Sequence, residues 1–205
     1  MLPIWRKSSI KKVVRSEFDK LLWWRIGLQE FCEKVLTGEG VAVISLAQMA
    51  DIKKNSGKNI LFVCTGNTCR SPMAEGLFRK ALGTRLGWTV RSAGVAASVG
   101  SKESRDTATV LEKRGVSLTS FRSQQVSRAL IEQSDAIFAM TCSHLAVLED
   151  EFPEFVHKFY LAGDFAEDGG DVPDPIGMGA KAYEEVALVL EDAFPGIIRF
   201  LEAGE

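Results

Sequence analysis

The stretch from Asn59 to Leu82 limits the fold more than any other part of the chain. Asn59-Ile60-Leu61-Phe62-Val63 is short, apolar and without polar alternation, which is the pattern of a parallel strand covered on both faces. Cys64-Thr65-Gly66-Asn67-Thr68-Cys69-Arg70-Ser71 follows. From there to Leu82 the sequence reads as a helix, with Ser71 as N-cap, Pro72 at the first helical position and Glu75 in the first turn. The octad is therefore a strand-to-helix turn. Its backbone N–H groups and the helix dipole should face one point, a geometry that suits a dianionic phosphate.

The rest of the chain repeats the alternation. Trp88 to Gly94 gives a second strand, Asp135 to Met140 a third and Val156 to Leu161 a fourth. Between them, helices are expected over Ser104–Lys113 (stopped by Gly115), Ser123–Glu132 and Ser143–Glu151 (ended by Pro153). A loop from Gly163 to Gly177 leads to an amphipathic helix from Ala180 to Phe194, which either stops or resumes at Pro195-Gly196. The reading is an α/β fold: a doubly wound, four-stranded parallel sheet with helices on both faces, plus an N-terminal, mainly helical extension. Cys64 then lies at the carboxyl end of the first strand, where doubly wound sheets place their ligands.

Residues 1–58 precede that fold, and 59–205 form the expected catalytic domain. Lys7, Lys11, Lys12 and Arg15 make a basic start that reads as a solvated face. Leu21, Trp24, Leu28, Phe31 and Val35 follow a helical spacing that Thr37-Gly38-Glu39-Gly40 ends. Val41 to Ala47 is either a strand or a buried helix, and Lys53 to Lys58 is a polar linker. The extension reads as a helical appendage packed on the catalytic domain or on a second copy. The other reading is a docking or regulatory module.

Bulk properties narrow the function. A net charge of −2 argues against a nucleic-acid or polybasic membrane partner. No apolar run reaches the length of a membrane span, and no signal-peptide pattern opens the sequence, so the cytoplasm is the expected location. The four cysteines do not suggest a secreted disulfide framework: Cys64 and Cys69 share the octad, while Cys32 and Cys142 read as packing residues. His144 and His157 fit no metal-ligand spacing, and neither metal nor cofactor is expected.

A cysteine at a strand end, beside a helix N-terminus and an arginine, favours its thiolate form. Arg70 can grip two phosphate oxygens in a fork that lysine does not reproduce. Such a thiolate is suited to attack phosphorus and form a phosphocysteine. The Cys-x5-Arg-Ser pattern resembles the low-molecular-weight protein tyrosine phosphatases. The string Cys64-Thr-Gly-Asn-Thr-Cys-Arg-Ser-Pro-Met-Ala-Glu75 closely matches their bacterial protein arginine phosphatase branch. The resemblance covers residues 59 to about 202. It implies a cysteine-dependent protein phosphatase acting on phosphorylated protein, with Cys64 as nucleophile, Arg70 as clamp and Thr65 to Ser71 cradling phosphate or a related oxyanion. It also implies Asn67 and Ser92 (of Arg91-Ser-Ala-Gly94) as supports of the turn, and Ser71 as a stabiliser of the thiolate. The alternative reading of Asn67 is simply a residue that tolerates a left-handed turn.

A departing atom needs a proton, and the resemblance gives that role to Asp174 in Val172-Pro-Asp-Pro175. Asp164, Glu167, Asp168 and Asp171 nearby read as a solvated loop whose like charges favour the protonated acid. Two features bear on substrate. Tyrosine-directed members carry a bulky aliphatic residue at position 68 and aromatic residues after Asp-Pro, whereas this chain has Thr68 and Ile176-Gly-Met-Gly179. The lean is to phosphoarginine over phosphotyrosine, although Ala96 stands where that branch leads one to expect an aromatic wall. Arsenate reduction uses a similar turn with two further relay cysteines; Cys142 fits the first, but Glu149 occupies the place of the second. Cys69 resembles a backdoor cysteine able to form a reversible disulfide with Cys64, or else it fills the underside of the turn.

Overall fold

The computed structural model describes residues 57–203 apart from Thr84 and Leu86. The expected helix from Leu21 to Val35, the segment Val41–Ala47, most of the linker and Cys32 lie outside the described residues. The described chain runs β1 (Asn59–Cys64), α1 (Arg70–Leu82), β2 (Thr89–Gly94), α2 (Arg105–Lys113), α3 (Arg128–Gln133), β3 (Ala136–Ala139), α4 (Cys142–Glu151), β4 (Phe159–Leu161) and α5 (Ala180–Ala203). All strand pairings are parallel, in the order β2-β1-β3-β4.

β1 is central, and its alternation divides the core. Ile60 and Phe62 face a cluster built with Met73, Leu77 and Phe78 of α1, Val110 and Leu111 of α2, and Leu190 and Phe194 of α5. Leu61 and Val63 face the other way, toward Ile131 of α3, Ile137 and Ala139 of β3, and Leu148 of α4. Phe78 meets Phe62 edge-on at 5.3 Å and Phe194 at 5.0 Å between ring centroids. Each such ring, fully withdrawn from water, contributes roughly 1.5–3 kcal/mol. The sheet is thus covered on both faces, and the end of β1 is anchored from two sides. Among the described residues no helix is long and apolar enough to cross a membrane.

Three expectations need correction. Ser71 does not cap α1: Cys69 stands at the N-cap without a side-chain hydrogen bond, so Pro72 falls third in the helix and Glu75 beyond its first turn. Proline is still tolerated there, because the first N–H groups of a helix have no intrahelical partner. The helix expected from Ser123 begins only at Arg128, capped by Ser127, whose Oγ accepts from Leu130 N. Residues before it run alongside the end of β2 instead: Gly94 N donates to Gln124 O and Val126 N to Gly94 O, both at 2.9 Å. Gln125 ties down the same loop, accepting from Ala97 N and donating to Val95 O.

β4 is shorter than expected, since Pro153–Lys158 form a 3-10 helix and Val156 is exposed, leaving only Phe159–Leu161 to pair. Of the two outcomes left open for α5 at Pro195-Gly196, the structure shows continuation. The helix runs on to Ala203, although an interior proline costs about 3 kcal/mol. Ile197, Ile198 and Leu201, all buried beyond the proline, offset that loss. Gly196 lets the helix approach Phe165, whose carbonyl oxygen would lie 2.7 Å from an added Cβ.

Candidate active site

The octad turns from the end of β1 into α1, and Asn67 takes a left-handed conformation at φ 52°. Its side chain is also fully buried and used throughout. Nδ2 donates to Ser71 Oγ (3.0 Å) and Ser92 Oγ (2.8 Å), and Oδ1 accepts from Gln124 N (2.9 Å). Both readings of Asn67 therefore hold together: the backbone needs a residue that tolerates positive φ, and the amide stitches the turn to β2. Ser92 passes the chain on, donating to Glu75 Oε2 at 2.5 Å, and Glu75 pairs with Arg79 at 2.6 Å. Burial pushes the Glu75 carboxyl above its usual range despite these partners.

Cys64 is buried at the tip of β1 with Sγ 2.9 Å from Ser71 Oγ. The Ser71 hydroxyl is also within reach of Ala93 O, as donor, at 3.2 Å. One hydroxyl hydrogen thus has two acceptors. With the thiol protonated it serves Ala93; with the sulfur ionised it turns to the thiolate. The hydroxyl at position 71 is thus engaged with the Cys64 sulfur and the Ala93 carbonyl rather than with a helix-capping amide.

Arg70 is buried at the first position of α1. Its guanidinium reaches Asp174 Oδ2 at 2.6 Å, and both Val172 O and Thr65 Oγ1 at 3.4 Å. The loop after β4 is thereby folded over the octad, bringing Asp174 to the arginine that follows the cysteine. Asp174 is half-exposed, and its Oδ1 accepts from Ile176 N at 3.2 Å. The acidic residues Asp164, Glu167, Asp168 and Asp171 are exposed, as a solvated loop should be, but the charged partner of Asp174 is Arg70. Thr68 is half-buried within the turn, and Ala96 is exposed beside it, its N–H on Thr65 O at 2.9 Å.

Cys69 Sγ lies beneath the turn, 3.4 Å from Tyr183 Oη. Both Cys64 and Cys69 are free thiols with separate partners, so a bridge between them requires Cys69 to leave Tyr183. Cys142 is not the buried packing residue expected: it is exposed at the start of α4, with its N–H on Asp171 Oδ1 at 2.7 Å. A hydrogen bond with Asp171 raises its thiol above the usual range, which disfavours the thiolate a redox relay needs. His144 belongs to the site although its spacing does not single it out. It is buried beside the turn with Nε2 2.7 Å from Thr65 Oγ1. The available signal is its place just after β3, the neighbour of β1, at the carboxyl end of the sheet.

Gly94 closes the site from the β2 side. An added Cβ there would overlap the Thr65 carbonyl oxygen and lie 2.9 Å from Asn67 N, both of them backbone atoms that cannot give way. Gly94→Ala is therefore expected to destabilise the domain by about 1–3 kcal/mol and to weaken phosphate binding. Thermal melts and phosphate titration check this, and parent-like values in both would show that the turn has slack.

The comparisons with known proteins agree with this geometry. The family described as low molecular weight phosphotyrosine protein phosphatase matches residues 59–204. The chain belongs to that family. This phosphatase is 36% identical over 137 residues to a protein-arginine-phosphatase of Bacillus subtilis, covering 65% of this chain and 90% of that protein. It is 38% identical over 145 residues to the low molecular weight protein-tyrosine-phosphatase Etp of Escherichia coli K12, covering 71% and 93%. Among solved structures it is similar to the YwlE arginine phosphatase in a cysteine-to-serine mutant with a phosphorylated active site serine. That match has a TM-score of 0.67 at 32% identity, covering 72% of this chain and 97% of that one. The protein is thus a hydrolase of the low molecular weight phosphatase family, and both arginine- and tyrosine-directed members stand at similar distance from it.

Proposed function

We propose that residues 59–205 form a phosphoarginine-directed protein phosphatase working through a phosphocysteine on Cys64. The Cys64 thiolate attacks phosphorus, an S–P bond forms, and the P–N bond to the guanidine breaks. Asp174 gives its proton to the departing nitrogen. A water then attacks the phosphocysteine, the Asp174 carboxylate takes its proton, and the S–P bond breaks to return the thiolate and release phosphate. The amides of Thr65 to Ser71 and the Arg70 fork stabilise the equatorial oxygens through both steps. Asn67, Ser71 and Ser92 hold the turn in shape, and the carbonyl of Val172 helps aim the guanidinium.

The observation that carries the arginine reading is the pairing of Thr68 in the turn with an acid loop that continues as Ile176-Gly-Met-Gly179. Ile176 and Met178 are exposed, and the four residues after Pro175 offer no aromatic ring to stack on a phenol. A threonine hydroxyl and an ionisable carboxylate suit a polar guanidinium instead. Assay of matched phosphoarginine and phosphotyrosine peptides tests this. The parent protein is expected to favour phosphoarginine, and Thr68→Ile to move the ratio of kcat/KM toward phosphotyrosine by about tenfold or more, as expected when a polar contact is exchanged for an apolar one. Dominant phosphotyrosine turnover by the parent protein would reject the assignment.

A further inference from the structure

We infer that His144 is a positioning residue for the phosphate clamp, acting on Arg70 through the hydroxyl of Thr65. The inference rests on the reading of Arg70 as that clamp. Capping does not explain the ring. The N-cap bond of α4 is made by the His144 backbone N–H to Thr141 Oγ1 (3.3 Å), and any residue could supply it. The imidazole makes two further bonds, Nδ1 to Thr141 Oγ1 at 2.8 Å and Nε2 to Thr65 Oγ1 at 2.7 Å. It therefore spans from the N-cap of α4 to the residue that follows the cysteine, tying the carboxyl end of β3 to that of β1.

One arrangement of hydrogens satisfies every member of this chain. Thr65 Oγ1 accepts from Arg70 Nη2 (3.4 Å), so its own hydrogen is free to go to His144 Nε2. The ring then carries its proton on Nδ1 and donates it to Thr141, which in turn donates to Ser143 Oγ at 2.8 Å. Burial, and then the charge of Arg70, push the imidazole down to about 4, so the neutral ring that this arrangement requires is the form present at neutral pH.

The consequence for Arg70 is directional. Nη2 is shared between Asp174 and Thr65, while Nη1 faces the Val172 carbonyl. Asp174 belongs to a loop and is half-exposed, whereas Thr65 is continuous with β1. Thr65 is thus the fixed partner of Nη2, and His144 keeps its oxygen lone pairs turned toward the arginine. Without the ring the hydroxyl rotates freely, and Arg70 loses one of the acceptors that hold its fork in the plane of the incoming oxygens.

The test uses paired variants that separate the two ring nitrogens. In His144→Gln the amide reaches the place of Nε2, and in His144→Asn only that of Nδ1. In the full chain, His144→Asn is expected to raise the dissociation constant of inorganic phosphate and the KM for substrate by about 3- to 10-fold, the size of one lost hydrogen bond, with kcat within about twofold. His144→Gln should restore most of that. Thr65→Val should match His144→Asn, and the double variant Thr65→Val/His144→Asn should add nothing further.

Equal behaviour of the Asn and Gln variants overturns the inference. So do additive losses in the double variant, or a fall in kcat and melting temperature with phosphate binding unchanged. Calorimetric phosphate binding is read without turnover. A parent protein that binds phosphate but hydrolyses neither phosphopeptide rejects the proposed function, while the variant comparison still decides the role of His144. A parent protein that binds no phosphate overturns both.

Discussion

Cys64→Ser is expected to lower turnover by roughly 10⁴-fold or more, the scale seen when an enzyme loses its nucleophile but keeps its binding apparatus. The reason is local. The sulfur is buried at the end of β1, its hydrogen-bonding neighbour is Ser71 Oγ at 2.9 Å, and Arg70 follows within the same turn. A thiol is by nature far more acidic than a serine hydroxyl, and its anion is the better nucleophile. Phosphate binding should survive, because in the proposed mechanism the anion is held by backbone amides and Arg70 rather than by the sulfur.

The serine variant should also act as a trap. Any phosphoryl group transferred to the introduced hydroxyl would leave slowly, since an alkoxide is a poorer leaving group than a thiolate. Intact mass after incubation with substrate is therefore expected to show a stably phosphorylated protein. Cys64→Ala should show neither turnover nor the adduct. Turnover retained in Cys64→Ser would remove the phosphocysteine from the mechanism.

The sequence discloses the sheet and the cup more readily than the contacts that brace them. β1 is legible because a strand buried on both faces must be apolar throughout, and the octad because it sets a cysteine and an arginine between that strand and a helix start, where an anion site forms. Ser71 reads as a cap for a physical reason: Ser-Pro before an apolar helix is the signature of one. In the fold its hydroxyl caps nothing and lies between Cys64, as the resemblance implies, and the Ala93 carbonyl, which no local pattern points to. Ser123 to Val126 carry a helix-compatible pattern, but the side-chain amides of Gln124 and Gln125 donate to Ser92 O in β2 and to Val95 O just after it, and this long-range demand overrides local propensity. His144 is the instructive omission. Its partner Thr65 lies far away in sequence, so no spacing rule joins them; the parallel pairing of β1 with β3 does. Cys142 shows the reverse, since a small apolar residue type stands exposed at a helix start whose first amides take a carboxylate.

Asp174→Asn should distinguish an acid from a strut. The substitution keeps the shape of the side chain and removes both its proton and its charge. A general acid matters in proportion to how badly the leaving group needs a proton, so the loss must depend on substrate. With phosphoarginine the departing guanidine nitrogen has to be protonated as the P–N bond breaks, and kcat is expected to fall by about 10²–10⁴-fold. With an aryl phosphate whose phenolate departs unaided, such as p-nitrophenyl phosphate, the loss should be much smaller. Binding should move the other way. Asp174 Oδ2 now holds Arg70 Nη2 at 2.6 Å, and phosphate must share or displace that contact. Because the carboxylate is half-exposed, the pair is worth no more than about 1 kcal/mol, so its removal should tighten inorganic phosphate binding by up to about fivefold. An equal loss on both substrates, together with weaker phosphate binding, would make Asp174 a structural partner of Arg70 and leave the proton to another group.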